Sequence, residues 1–427
     1  MISLDFVKSY LKEINFVTLF RACQDAEHLK FILSLGLDVN EQEDEDVKST
    51  ALHYAQNQEQ IKTLIKHGAD VNARDYLERT PLFGLRSEEE ILLLLEAGAD
   101  VNARNKHGKG VLHYQIDIKL MKIFLDHGAN VNAKDDFNRT PLFLSEFFFY
   151  DGSEENDKNE QTRIKFLLEH GADVNVRDKE DRTPLYYAKT GGQIRLLLDH
   201  GADVNARNEC DNTPLHLANT GEQTRLLIQA EADVNARNDY DNTPLHLAKT
   251  GEQTKLLVDA GADVNARNNI NSTPLFFAES LEQTRLLLDA GADVNARNDE
   301  GNISLHNAKT EEQTKFLLDH GADVHLKNDC GQTPLLLVKT EKQIRILLEA
   351  GADVNVKDKE GDTILHLAET ESETRLLLQA GAVVNVKNNC GQTPLHCAKS
   401  EGQTRLLLDH LKKEVVSRYE ILKQINI

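Results

Sequence analysis

The residues whose chemistry stands out in this chain are seven histidines, His53, His113, His216, His246, His306, His366 and His396. An imidazole ligates zinc or carries protons near neutral pH, so a row of them suggests a metal centre or a general base. Each stands three residues after a threonine or its replacement, in a phrase such as Thr-Pro-Leu-His that returns about every 30 residues. Helices packed side by side lie about 8–10 Å apart. One histidine per repeat at that spacing leaves no two in a common ligand sphere. Cys390, His396 and Cys397 form the one close cysteine–histidine group. Their spacing is not that of a zinc site, and adjacent residues on a helix point apart. A phosphate-cradling glycine loop, an HExxH pair and a nucleophile elbow are all missing from the sequence. We therefore expect no enzyme, no catalytic residue, no metal and no cofactor, and we assign the histidines a structural role.

The elements that hold those histidines are legible in Asp241 to Asn268, DNTPLHLAKTGEQTKLLVDAGADVNARN. Thr243 before Pro244 predicts a short helix, since a threonine oxygen caps free N–H groups and proline at the first position loses no bond. Thr250 and Gln253 have capping-box spacing and start a second helix, which turns Leu256 and Leu257 inward and stops at Gly261. Ala262 to Asn268 is a polar, turn-rich stretch. The box threonine or its replacement falls at 50, 80, 110, 140, 183, 213, 243, 273, 303, 333, 363 and 393. A leucine two places on is present every time, from Leu52 to Leu395, and is the expected core wedge. All eight prolines lie in these boxes, with Ala51, Val111, Ser304 and Ile364 in the remaining four. The capping-box spacing recurs from Ser87 with Glu90 to Ser400 with Gln403. Glu231 stands where Gly201 and Gly261 stand. A side chain in left-handed backbone there costs about 1–2 kcal/mol.

TPLHLA, the glycine–alanine pair and ADVNA, in that order, resemble the ankyrin repeat, with the connector between helices shortened so that the period is 30 rather than about 33. The resemblance covers about nine-tenths of the chain. It implies an all-α solenoid of helix-turn-helix units joined by β-hairpin turns, each unit too small to fold alone. It implies that the box histidines tie each helix to its hairpin. It also implies a non-catalytic scaffold that binds partner proteins through hairpin tips and the concave face of the first helices. The close likeness of the repeats around 205–268 suggests recent duplication, as in arrays exported by intracellular bacteria. A secreted effector acting on host proteins is thus the alternative function. An enzyme with a cryptic site at the insertion described next is a third.

Residues 1–40 lack the box and read as an N-terminal helical cap, with Leu4, Val7, Tyr10, Leu11 and Ile14 at helical spacing and two further helices between Val17 and Leu35. Glu41 to Asp46 is an acidic loop expected in solvent. The array spans 41–410, and 411–427 is a C-terminal cap helix whose stripe Leu407, Leu411, Val415, Tyr419, Leu422 and Ile425 covers the last core face. A docking tail is the other use for that helix. The period breaks between the boxes at 140 and 183. Aligning Gln161 and Thr162 with Gln253 and Thr254 places the extra length at 145–159. There Phe147, Phe148, Phe149 and Tyr150 either tuck onto a neighbouring repeat or form an exposed finger for a partner.

The formal net charge of −21 and pI near 5.2 argue against nucleic-acid or anionic-membrane binding, which need basic surface. Asp5 and Lys8 spoil a signal-peptide core, no run approaches a membrane span, and five cysteines at these spacings suit reduced thiols. We expect a cytoplasmic, monomeric protein, or one exported without such a signal. Variety lies at the hairpin tips, three residues before each box. Leu77, His107, Phe137, Tyr240 and Ile270 are the partner-binding candidates there, together with the aromatics at 147–150. Six residues before each box runs a basic ladder, Arg74 to Lys387, which we expect to be neutralised by acidic neighbours such as Asp75 and Asp263.

Overall fold

The computed structural model describes residues 15–23, 26–44, 46–143, 154–338 and 340–424. They fall into two compact units, Met1–Glu209 and Cys210–Ile427. All the regular structure among the described residues is helical.

The first unit opens with α1 (Phe16–Ala22) and α2 (Ala26–Ser34) and continues with one second helix per repeat: α3 (Gln58–Lys66), α4 (Glu88–Glu96), α5 (Ile118–Asp126), α6 (Glu154–Glu169) and α7 (Gly191–Asp199). The second unit carries α8 (Gly221–Gln229), α9 (Gly251–Asp259), α10 (Leu281–Asp289), α11 (Glu311–Asp319), α12 (Glu341–Glu349), α13 (Glu371–Gln379) and α14 (Glu401–Gln424). The first element of each repeat is only a turn, such as Pro244–Leu247. It closes with an i to i+3 bond from His246 N to Thr243 O, and Ala248 then returns to extended backbone.

The box leucines are the core, from Leu52 at 2% exposure to Leu365 at 3%. Leu395 is half-buried, because no later repeat covers it. The second helices start as their spacing predicts, with Gln253 N–H donating to Thr250 Oγ1 at 3.2 Å. The return arm reaches one residue further back than a simple capping box: Lys249 N–H donates to Gln253 Oε1 at 3.0 Å. At Ser87 the expected cap is not formed. Its hydroxyl instead donates to Glu89, two residues on.

The box threonine also departs from its expected role. Thr243 makes no side-chain cap to the backbone; its Oγ1 lies 2.9 Å from His246 Nδ1. The N–H of His246, the third helical position, is taken by Thr243 O, and the hydroxyl serves the histidine ring instead.

The irregular fourth repeat corrects the alignment made through Gln161 and Thr162. Arg163 precedes Gly171 by eight residues, as Gln253 precedes Gly261. Arg163 therefore occupies the glutamine place, and its Nε donates to Gln115 O at 3.1 Å. The added length extends α6 at its N-terminal end, where Asp157 accepts from Thr190 Oγ1 at 2.8 Å. Phe147, Phe148, Phe149 and Tyr150 lie outside the described residues, as do Leu4 to Ile14. The acidic loop is more than a solvated stretch: Glu41 Oε2 accepts from Phe16 N at the start of α1, and Glu43 holds Arg21 and the Tyr54 hydroxyl.

Helix α14 runs unbroken across 411, and its stripe does not bury as expected. Leu407 is 2% exposed, but Val415 is 66% exposed and Val416 60%. Val415 and Val416 are therefore turned to solvent. The side chains of Tyr419, Leu422 and Ile425 lie outside the described residues.

Candidate protein-binding face

The hairpin tip is built by backbone. Asp241 N–H donates to Asn238 O at 2.8 Å, and Asn238 Oδ1 accepts from the N–H groups of Tyr240 and Asn242, each at 3.0 Å. Asp241 takes φ +55°, in the left-handed region, and the same place is left-handed at Lys48 and Glu78 too. Asparagine and aspartate tolerate that conformation better than most residues. Each tip carbonyl then accepts from the following hairpin: Asn269 N to Tyr240 O at 3.0 Å in the second unit, Lys106 N to Leu77 O at 2.7 Å in the first. The backbone is thus fully engaged while the tip side chain is left to vary.

Most of the predicted tip residues are exposed. Phe137 is 51% exposed, Tyr240 59% and Ile270 45%, and His107 is exposed as well. Leu77 is only half-buried into the hairpin, and its neighbour Tyr76 takes the outer position at 49%. Phe137 carries the Arg139 guanidinium 5.4 Å from its ring centre and Lys179 Nζ at 6.0 Å.

The basic ladder keeps carboxylates near it, Asp136 at 3.7 Å from Arg104 and Asp241 at 3.8 Å from Arg237. Asp75 is not among them, and the ladder's shorter bonds go to backbone carbonyls. Arg237 Nη1 donates to Arg267 O at 2.7 Å, and Arg267 Nη1 to both Asn271 O and Arg297 O. In the first unit Arg74 reaches Arg104 O and Glu78 O in the same way. Asp75 is taken instead by Arg79, at 2.7 Å. Further on, lysine bonds the next repeat's carbonyl in the same way, where Lys327 Nζ reaches Lys357 O at 3.1 Å and Lys357 Nζ reaches Lys387 O at 2.9 Å.

The box histidines are joints. His246 Nδ1 accepts from Thr243 N–H at 3.1 Å, which leaves the proton on Nε2, and Nε2 donates to Ser272 O of the next repeat at 3.1 Å. His53 and Arg79 O, and His113 and Arg139 O, repeat the arrangement in the first unit. Burial holds the imidazole below its ordinary pKa at His53, His113 and His306, and pushes His246 down to about 4. A neutral ring that bridges two backbone groups has no lone pair left for a metal or a substrate. Among the described residues no three His, Cys, Asp or Glu side chains gather as a metal site.

A second row, four residues after each box, was missed in the sequence. In the second unit it reads Leu217, Leu247, Phe277, Asn307, Leu337, Leu367 and Cys397, and Leu217, Phe277 and Leu367 are 41%, 36% and 40% exposed. In the first unit the same place holds Tyr54, Tyr114 and Tyr187, whose hydroxyls are tied to Glu43, Asn105 and Asp178. Leucine at a fixed place reads as core from sequence. Its signal was the alternation with Asn307 and Cys397, which a core place does not accept.

A face of varied side chains on a fixed, repeat-to-repeat backbone defines a repeat-type binding module. The family model for ankyrin repeats (3 copies) matches residues 19–105, 155–238, 219–298 and 302–388. The chain belongs to the ankyrin repeat family, an all-α repeat fold whose members are generally protein–protein interaction modules. Among solved structures it is similar to the ankyrin repeat domain of Bcl-3, described as a unique member of the IkappaB protein family. The identity is 30%, over 47% of this chain and 98% of that chain, with a TM-score of 0.39. A comparison with curated proteins finds no match. No described helix is long and apolar enough to cross a membrane.

Proposed function

We propose that the chain is a non-catalytic scaffold that grips partner proteins with its hairpin tips and the exposed face of its first turns. The observation that supports this most directly is the division of labour at the tip. The tip backbone is tied down by bonds within its own hairpin and by its carbonyl to the next one, while Tyr76, Phe137, Tyr240 and Ile270 stand out of the surface. Large aromatic side chains held on a rigid backbone lose little entropy on binding and are the residue types that anchor interfaces. The net charge of −21 favours partners with basic surface and disfavours nucleic acid.

Affinity capture with the intact chain, set beside a chain in which Tyr76, Phe137, Tyr240 and Ile270 are changed to serine, tests the proposal. The serine variant is expected to keep its melting midpoint and lose its specific partners. Identical partner sets from the two would overturn the role given to the tips.

A further inference from the structure

The row four residues after each box in the second unit is apolar apart from Asn307 and Cys397, the outer part of α14 carries exposed apolar residues too, and both are unexplained by the fold. Leu217, Phe277 and Leu367 are exposed, Leu247 and Leu337 are half-buried, and none of the five has a polar atom beyond its backbone. On α14, Leu408, Val415 and Val416 are 40%, 66% and 60% exposed. We propose that these two surfaces fit each other across two copies of the chain, so that the outer part of α14 from one copy lies along the first-turn row of its partner's second unit. This rests on the reading of that face as protein-binding, and it replaces the monomer expected from the sequence.

Three observations carry it. The spacing agrees: successive repeats place row residues about 10 Å apart, and a helix returns to the same face every seven residues, about 10.5 Å along its axis. Leu408 and Val415 are seven apart. The length agrees as well, because α14 from Leu408 to Gln424 extends for about 25 Å and so covers two to three repeats of the row. Charge favours the pairing: Asp239, Asp299, Glu300 and Glu360 stand on the tip side of the row, and Lys413 is exposed on α14 beside Lys412, which lies 3.8 Å from Asp409. Each copy carries one helix and one row, so two reciprocal contacts related by a two-fold axis make a closed dimer.

Sedimentation velocity on the full chain, over a hundredfold range of concentration and at two salt concentrations, tests this. A dimer is expected that weakens as salt rises. Val415→Asp with Val416→Asp should weaken it at least tenfold, and so should Phe277→Asp with Leu367→Asp. All four residues are at the surface, so unchanged melting midpoints establish that the variants are folded. Mixing the two double variants should restore part of the association, since one intact row then meets one intact helix. A chain that stays monomeric throughout, a dimer that survives either double variant, or a mixture that shows no recovery overturns the proposal. The serine variant at the tips is expected to dimerise like the parent, which separates this outcome from a failure of the tips to bind partners.

Discussion

At the scale of single residues, the box histidine is the clearest case of a chemical group spent on structure. Its ring is fixed in one tautomer by a backbone donor on one side and a backbone acceptor on the other. In three of the five repeats where it is replaced, the threonine feels the loss: with Phe83, Phe143 and Tyr186 in its place, the hydroxyls of Thr80, Thr140 and Thr183 are buried without a partner. The one left-handed residue that breaks the glycine rule is Glu231, at φ +65°, where Gly261 has +88° and open space around it. Glu231→Gly should therefore raise the stability of the second unit by about 1 kcal/mol; a thermal midpoint that falls or stays put would count against this. That position was legible in the sequence because the other repeats, as far as Gly381, supplied the comparison. The threonine's partner was not, since capping and histidine positioning ask for the same hydroxyl at the same place.

At the scale of elements, two of the side chains that connect repeat to repeat lead to predictions. The first is the glutamine that opens each second helix. Gln283 receives Glu279 N–H at 3.1 Å and donates to Ala248 O of the preceding repeat at 2.8 Å. Gln283→Ala strands a part-buried carbonyl and is expected to cost about 1–3 kcal/mol in a urea titration. The second is the asparagine of ADVNA. Asn265 donates to Gly291 O at 3.0 Å and accepts from Asp293 N–H at 2.8 Å. His325 holds that place one repeat further on than Asn295, and its ring makes neither bond. His325→Asn should restore both and raise the midpoint by an amount equivalent to about 1 kcal/mol, with amide exchange slowed at Asp353. Helix existence and the 30-residue register were readable from spacing alone. The glutamine's reach across repeats was not, because a capping-box spacing reports only the local half of its bonds. Arg163 hid for a related reason, since the fourth repeat spells Gln-Thr two residues too early and buries an arginine where the others bury glutamine.

At the scale of the whole molecule, a feature repeated along the chain becomes a property of the chain. Several box histidines titrate lower in the folded state than the ordinary value near 6.5, because burial disfavours the charged ring. The unfolded chain then takes up protons first. Stability is full above about pH 6.5 and is lost as the pH falls from there towards 4. His246 alone, pushed down to about 4, contributes roughly 2 kcal/mol of loss between pH 7 and pH 5. The unfolding midpoint should fall steeply over that range, and His246→Phe, though less stable at pH 7, should show a shallower slope. An equal slope in the two chains would remove His246 as a cause. The joints themselves have one more consequence. His246 addresses the carbonyl of Ser272, Asn265 that of Gly291, and Arg237 that of Arg267. Each reaches into the next repeat and finds a main-chain oxygen, which every amino acid carries. Such a junction does not read its neighbour's sequence. Excising residues 243–272 would bring Thr273 up behind Asn242 with each donor still facing an oxygen, so the gene can lengthen or shorten by whole repeats and leave a folded protein each time.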